Sequence, residues 1–250
     1  MFKAKTERLK KLAQIYPDRI KELEKIFDKP TNIYLDWANM LHWSEKLSWH
    51  IDPKRLKQFC DSFSAISVVR LYQGTLETNP DSIHFINDLT KMNYAVTTKA
   101  VKIMRLPIDV SGIPNNSPAI LANFIKKPLL RRFTLETIEF LNDKLKDLNL
   151  SGITYIEHRK CNFDVELGRD MLHDYDAGGT DNFILWSGDS DFADPVSQLL
   201  KDKKKVVIFA TARRISIELG ATKAQIFDIQ KIRNFICNAK EIQPDISKQL

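Results

Sequence analysis

Asp189 and Asp191 stand two residues apart in Trp186-Ser187-Gly188-Asp189-Ser190-Asp191-Phe192, directly after the apolar run Asn182-Phe183-Ile184-Leu185. Carboxylates this close repel one another unless something positive lies between them, and a divalent cation is the simplest candidate. Two more acids occupy comparable places. Asp36 closes the run Asn32-Ile33-Tyr34-Leu35, with Asn39 three residues later, and Asp164 opens a helical pattern containing Leu167, Met171 and Leu172. If the strands before them are parallel, all four acids share the carboxyl edge of one sheet, where open α/β folds keep their ligands. The chemistry that uses such a rim is metal-assisted phosphoryl transfer. Magnesium keeps several waters and takes one or two carboxylates plus phosphate oxygens, and one or two such ions can activate water and offset charge on a leaving oxygen.

Each acid also has a plainer use. Asp36 alone suits a turn, and Asp164 alone suits the first turn of a helix, where the dipole favours it. Asp194 precedes Pro195 and is expected to cap a helix beginning there. Asp170 lies about 120° around the helix from Asp164 and is left to support or surface. The five histidines have no metal-ligand spacing, and neither a Gly-x-Ser-x-Gly elbow nor a phosphate-binding glycine loop is present. Trp37, Trp43 and Trp49 read as core aromatics sooner than as base-stacking platforms.

The elements needed to position these residues are legible in outline. Residues 1–30 form a basic helical extension with Leu9, Leu12, Ile15, Ile20, Leu23 and Ile26 at helical intervals. Strands are expected at 32–36, 65–72, 94–104, 152–158, 182–186 and 205–210. Between them fall helices from Pro53, Asn79-Pro80, Asp164, Pro195 and about Arg213, and one from Thr134 to Leu148 that buries Leu135, Ile138, Leu141, Leu145 and Leu148. This alternation predicts a Rossmann-like three-layer α/β/α fold with a central, mostly parallel sheet, occupying 31–237. A Pro-rich, basic insert (105–132) reads as a long loop, and 238–250 as a loose polar tail.

The chain has 250 residues, 43% hydrophobic and 28% charged, as expected of a globular protein with a substantial core. A net charge of +6 leans toward a polyanionic partner. No apolar run is long enough to span a bilayer. Cys60, Cys161 and Cys237 form no Cys-x-x-Cys pair, which predicts a reducing, cytoplasmic setting.

Together, Ile33-Tyr34-Leu35-Asp36-Trp37-Ala38-Asn39, Asp164-Val165-Glu166-Leu167 and Ser187-Gly188-Asp189-Ser190-Asp191-Phe192 followed by Pro195 resemble the NYN domain family, the LabA-like branch of the PIN-like nucleases. The resemblance spans about residues 31–230. It implies a Mg²⁺- or Mn²⁺-dependent nuclease acting on single-stranded RNA. Asp36, Asp164, Asp189 and Asp191 would be the metal ligands, Asn39 would orient water or phosphate, and Ser187 would support the rim. Lys126, Lys127, Arg131, Arg132, Arg213 and Arg214 are the cations expected to track the RNA backbone. Two departures stand out. Trp37 replaces the glycine usual after the first Asp and is expected to crowd the rim, and Cys161-Asn162-Phe163 precedes Asp164 where Lys-Gly-Val is common. The alternatives are a non-catalytic RNA- or protein-binding module, or a nucleotide-sugar enzyme using Asp189-Ser190-Asp191. A homo-oligomer is compatible with all of these.

Overall fold

Strand β1 (Thr31–Asp36) is buried at all six positions, as a strand covered on both faces by helices must be. In the computed structural model, which describes residues 1–211 and 215–250, it lies at the middle of the fold. Before it come α1 (Glu7–Ile15) and α2 (Pro17–Ile26). After it follow α3 (Trp37–Leu47), α4 (Pro53–Cys60), β2 (Ile66–Thr75), α5 (Pro80–Lys91) and β3 (Ala95–Ala100). Next are β4 (Lys102–Pro107), α6 (Lys127–Leu130), α7 (Leu135–Leu150) and β5 (Tyr155–Lys160). The chain then runs through α8 (Asp164–Ala177), β6 (Asn182–Trp186), α9 (Ala193–Lys201), β7 (Lys205–Ala210), α10 (Ile217–Ala221), β8 (Gln225–Asp228), α11 (Arg233–Ile236) and α12 (Pro244–Ser247).

Residues 1–100 and 161–250 form one compact unit. Its sheet has the order β3-β2-β1-β6-β7-β8, and every neighbouring pair is parallel. Helices flank it in the expected three-layer α/β/α arrangement. Leu9, Leu12, Ile20, Leu23 and Ile26 of the N-terminal helices join the core beneath the sheet residues. Trp37, Trp43 and Trp49 are all buried there too, as their core reading requires. The C-terminal stretch is better held than its composition suggests. Ile242 is buried, Glu241 accepts the backbone N–H of His50 at 2.9 Å, and Asn234 and Gln243 are hydrogen-bonded to each other.

Residues 101–160 form the second compact unit. The strand expected over 94–104 is two strands: β3 continues the parallel sheet, while β4 pairs antiparallel with β5. The strand expected at 152–158 therefore lies outside the parallel sheet. The stretch 105–132 is not a plain loop, because it carries the end of β4, a short 3₁₀ turn at Leu121–Asn123 and α6. Leu121, Leu130 and Ile138 make a small core of their own, with Phe133, Leu141 and Leu145 packed against it. Leu135 and Leu148, expected in the buried stripe of α7, are 58% and 40% exposed. The core beneath α7 is only wide enough for the middle of its apolar face.

Candidate metal centre

The rim is built where the sheet changes direction. From β1 the chain proceeds to β2 on one side, while its other neighbour β6 leads to β7 on the far side. Such a switch point leaves a crevice beyond the carboxyl ends of the two central strands. In the β1–β6 register Leu35 lies opposite Trp186, which brings the next residues, Asp36 and Ser187, together. The buried Ser187 hydroxyl donates to Asp36 Oδ2 at 3.0 Å and accepts the Asp189 backbone N–H at 3.2 Å. One serine thus ties the first acid to the loop carrying the next two.

Asp36 also caps α3, accepting the Asn39 N–H at 3.2 Å. Burial raises its pKa above the usual carboxylate range, against the opposing hydrogen bonds from Asn39 and Ser187. Asp164 is the first residue of α8, and its side chain reaches the Asp189–Asp191 loop. Oxygens of Asp164, Asp189 and Asp191 all lie within 4.8 Å of one another. Burial, a hydrogen bond to Asp191 and the charges of Asp191, Asp189 and Asp36 push the Asp164 carboxyl up to about 7. Burial and the crowding of like charges act here in the same direction. Among the described residues, cations beside α8 are engaged elsewhere: Lys99 with Glu166, Arg169 with Asp170 and Arg70 with Asp174. An all-carboxylate set of this kind suits a hard divalent ion.

Beside the acids opens a cleft of about 640 Å³, lined by Asp164, Ser190, Asp191, Asp194 and Glu218 among others. The last two were not anticipated there. A 3₁₀ turn over Ser190–Phe192 runs straight into α9, so the helix starts before Pro195. Asp189, accepting the Asp191 N–H at 3.4 Å, makes the side-chain cap bond in place of Asp194, which is left in the first turn. Glu218 lies beside the cleft, where the Ser216 N–H bonds to the Gly188 carbonyl at 2.9 Å and holds the start of α10 against the rim. No local motif signals that contact. Trp37 does not crowd the rim; it is buried in the core, with its ring 5.9 Å from that of Phe85. Asp170 accepts a hydrogen bond from Tyr72 at 3.0 Å and stands outside the acid cluster.

Lys126, Lys127, Arg131 and Arg132 are exposed on the 101–160 unit, while Arg213 and Arg214 lie outside the described residues.

Residues 135–230 match the family model of the NYN domain, a range that includes Asp164, Asp189 and Asp191. This stretch is thus similar to an NYN domain. Along most of its length it is also similar to the low amplitude and bright protein LabA of Synechococcus elongatus. The two are 23% identical over 216 residues, covering 86% of this chain and 91% of LabA. In fold it is similar to a Vibrio parahaemolyticus protein of unknown function known from a crystal structure. There the TM-score is 0.50 at 16% identity, covering 83% of this chain and 95% of that one. The NYN domain supports a nuclease or RNA-related role. Among the described residues, no helix is long and apolar enough to cross a membrane.

Proposed function

We propose that this NYN-domain protein is a Mg²⁺- or Mn²⁺-dependent nuclease that hydrolyses phosphodiester bonds in single-stranded RNA. The observation supporting this most directly is the convergence of three carboxylates from two separate elements, held within 4.8 Å of one another. A binding module has no reason to gather negative charge where phosphates must sit. Asp164, Asp189 and Asp191 would hold the ion, with Asp36 joined to them through Ser187. When bound, such an ion stabilises charge on the phosphoryl oxygens and makes water a better nucleophile.

The chain's own residues do the rest. Ser187 fixes the Asp36 carboxylate and the Asp189 backbone relative to each other, so the rim keeps its shape as charge changes. Asn39, in the first turn of α3 and half-exposed, is placed to orient water or a phosphate oxygen. Exposed Lys126, Lys127, Arg131 and Arg132 would supply backbone contacts. Cys60, Cys161 and Cys237 are all free thiols, in keeping with a cytoplasmic site of action.

Purified protein with Mn²⁺ should cleave labelled single-stranded RNA at low salt, and chelation should stop it. Asp189→Asn should lower the rate at least about a hundredfold, more than the 10–100-fold typical for losing an outer partner of a metal ligand. RNA left intact by protein that also binds no Mn²⁺ in calorimetry would rule the proposal out. Cleavage confined to single-stranded DNA would correct the substrate.

A further inference from the structure

The 101–160 unit holds ten Lys and Arg against six Asp and Glu, a surplus of four in a chain whose net charge is +6. Within it lies a cavity of about 400 Å³, distinct from the acid cleft. The buried Leu130 and Ile138 line it, together with half-buried Phe133 and the exposed Ala122. Lys127 and Arg131 line it too, and both are exposed. Four residues apart, they lie on the same side of the helical turn formed by α6 and its cap. The ion pairs of this unit are Lys144 with Asp147 and Lys146 with Asp143, which leaves Lys127 and Arg131 unpaired among the described residues.

A mostly apolar hollow of this size with two free cations fits a ligand that has a flat apolar body and an anionic group on one side. A cation pair that only tracked a backbone would need no hollow between its members. We infer that this cavity takes one unstacked base of an RNA strand, with the adjoining phosphate on Lys127 and Arg131 and the base against Phe133. The inference rests on the RNA reading above and adds to it: the 101–160 unit grips a base, and the cations there do more than attract charge. Single-stranded RNA is recognised in this manner wherever bases are splayed out onto aromatic side chains.

The test uses the full chain, without divalent ion so that RNA survives. Fluorescence anisotropy compares a labelled oligouridylate with an abasic ribose-phosphate strand of the same length. The oligouridylate should bind about tenfold more tightly, the low end of what base–aromatic stacking contributes. Ala122→Trp, at an exposed wall position, should remove that difference while leaving abasic affinity unchanged. Ala119→Trp fills the same wall and guards against an accident of folding. Joint Lys127→Ala and Arg131→Ala should weaken both ligands and flatten the salt dependence by about 0.7 in log–log slope per lost phosphate contact. Equal binding of the two strands, or tryptophan variants that bind like the parent, overturns the base pocket. If the same preparation still cleaves RNA with Mn²⁺, the nuclease reading survives that result. Absence of both binding and cleavage sinks the two together.

Discussion

Helix α8 carries an acid at its start and another about three turns along, and the fold treats them in opposite ways. Asp174 is buried, yet Arg70 grips it through two nitrogens at 2.6 and 2.9 Å, Tyr34 donates at 2.7 Å and Asn32 at 2.9 Å. Burial disfavours its charge, but the hydrogen bonds from Arg70 and Tyr34 outweigh this and hold the carboxyl below its usual range. Asp164 meets Asp189 and Asp191 instead, and its carboxyl rises to about 7. The first acid is finished: every oxygen has a donor and the charge has a counter-ion. The second is left short of positive charge among the described residues, at the sheet's switch point. A protein able to satisfy one buried acid so fully had the means to neutralise the other.

The contrast breaks if the two acids respond alike to neutralisation. Asp174→Asn should cost about 3 kcal/mol, since it strands Arg70 beside a group that no longer carries charge. The low end of the usual range applies because the Arg70 side chain keeps 29% exposure. Asp164→Asn, measured by urea unfolding without divalent ion, should leave stability unchanged or raise it, because it removes repulsion. Equal losses for both would mean that Asp164 has a structural partner after all.

Acidity sharpens the same comparison. Asp164 has a folded pKa near 7 against an ordinary value of 3.8, so between those limits the native state holds a proton that the unfolded chain has released. Its contribution to stability is therefore full below about pH 4 and declines as pH rises toward 7. Asp174 is depressed, so its contribution is present above 3.8 and is lost as pH falls below that value. Ion binding must displace the Asp164 proton, so Mn²⁺ affinity should fall up to about tenfold per pH unit below 7 and level off above it. Calorimetric titrations across pH 5 to 8 check this. A flat profile would remove Asp164 from the site.

Much of this centre is legible in the sequence, because its parts are local. The run before Asp36, the Ser187–Phe192 block and the acid opening α8 each announce a strand end or helix start through composition alone. What stayed hidden depends on contacts between distant segments. Glu218 reaches the cleft through long-range packing of α10, anchored by the bond between Ser216 and Gly188. Asp174 looks like any exposed helix acid until β1 and β2 set Asn32, Tyr34 and Arg70 against it. The strand over 94–104 could not be divided from its pattern, since no glycine or proline marks the passage from β3 into β4. Register with β2 decides where the parallel sheet stops, and register is a property of the pair.

The smallest predicted effect tests how the rim is held together. Ser187 is fully buried, and its hydroxyl is shared between Asp36 Oδ2 and the Asp189 N–H. Ser187→Ala would leave an acceptor and a donor without that partner, and about 1 kcal/mol of stability should be lost. Asp36 would lose one of the two hydrogen bonds that oppose the upward push of burial, so its pKa should rise further. A carboxyl harder to ionise and free to turn is a poorer neighbour for a cation. Mn²⁺ affinity should drop about tenfold, as when an outer partner of a metal ligand is removed. Ser187→Thr keeps the hydroxyl and should restore the affinity wherever its extra methyl is accommodated. An alanine variant that loses stability but binds Mn²⁺ as before would show that Asp36 shapes the sheet edge and takes no part in holding the ion.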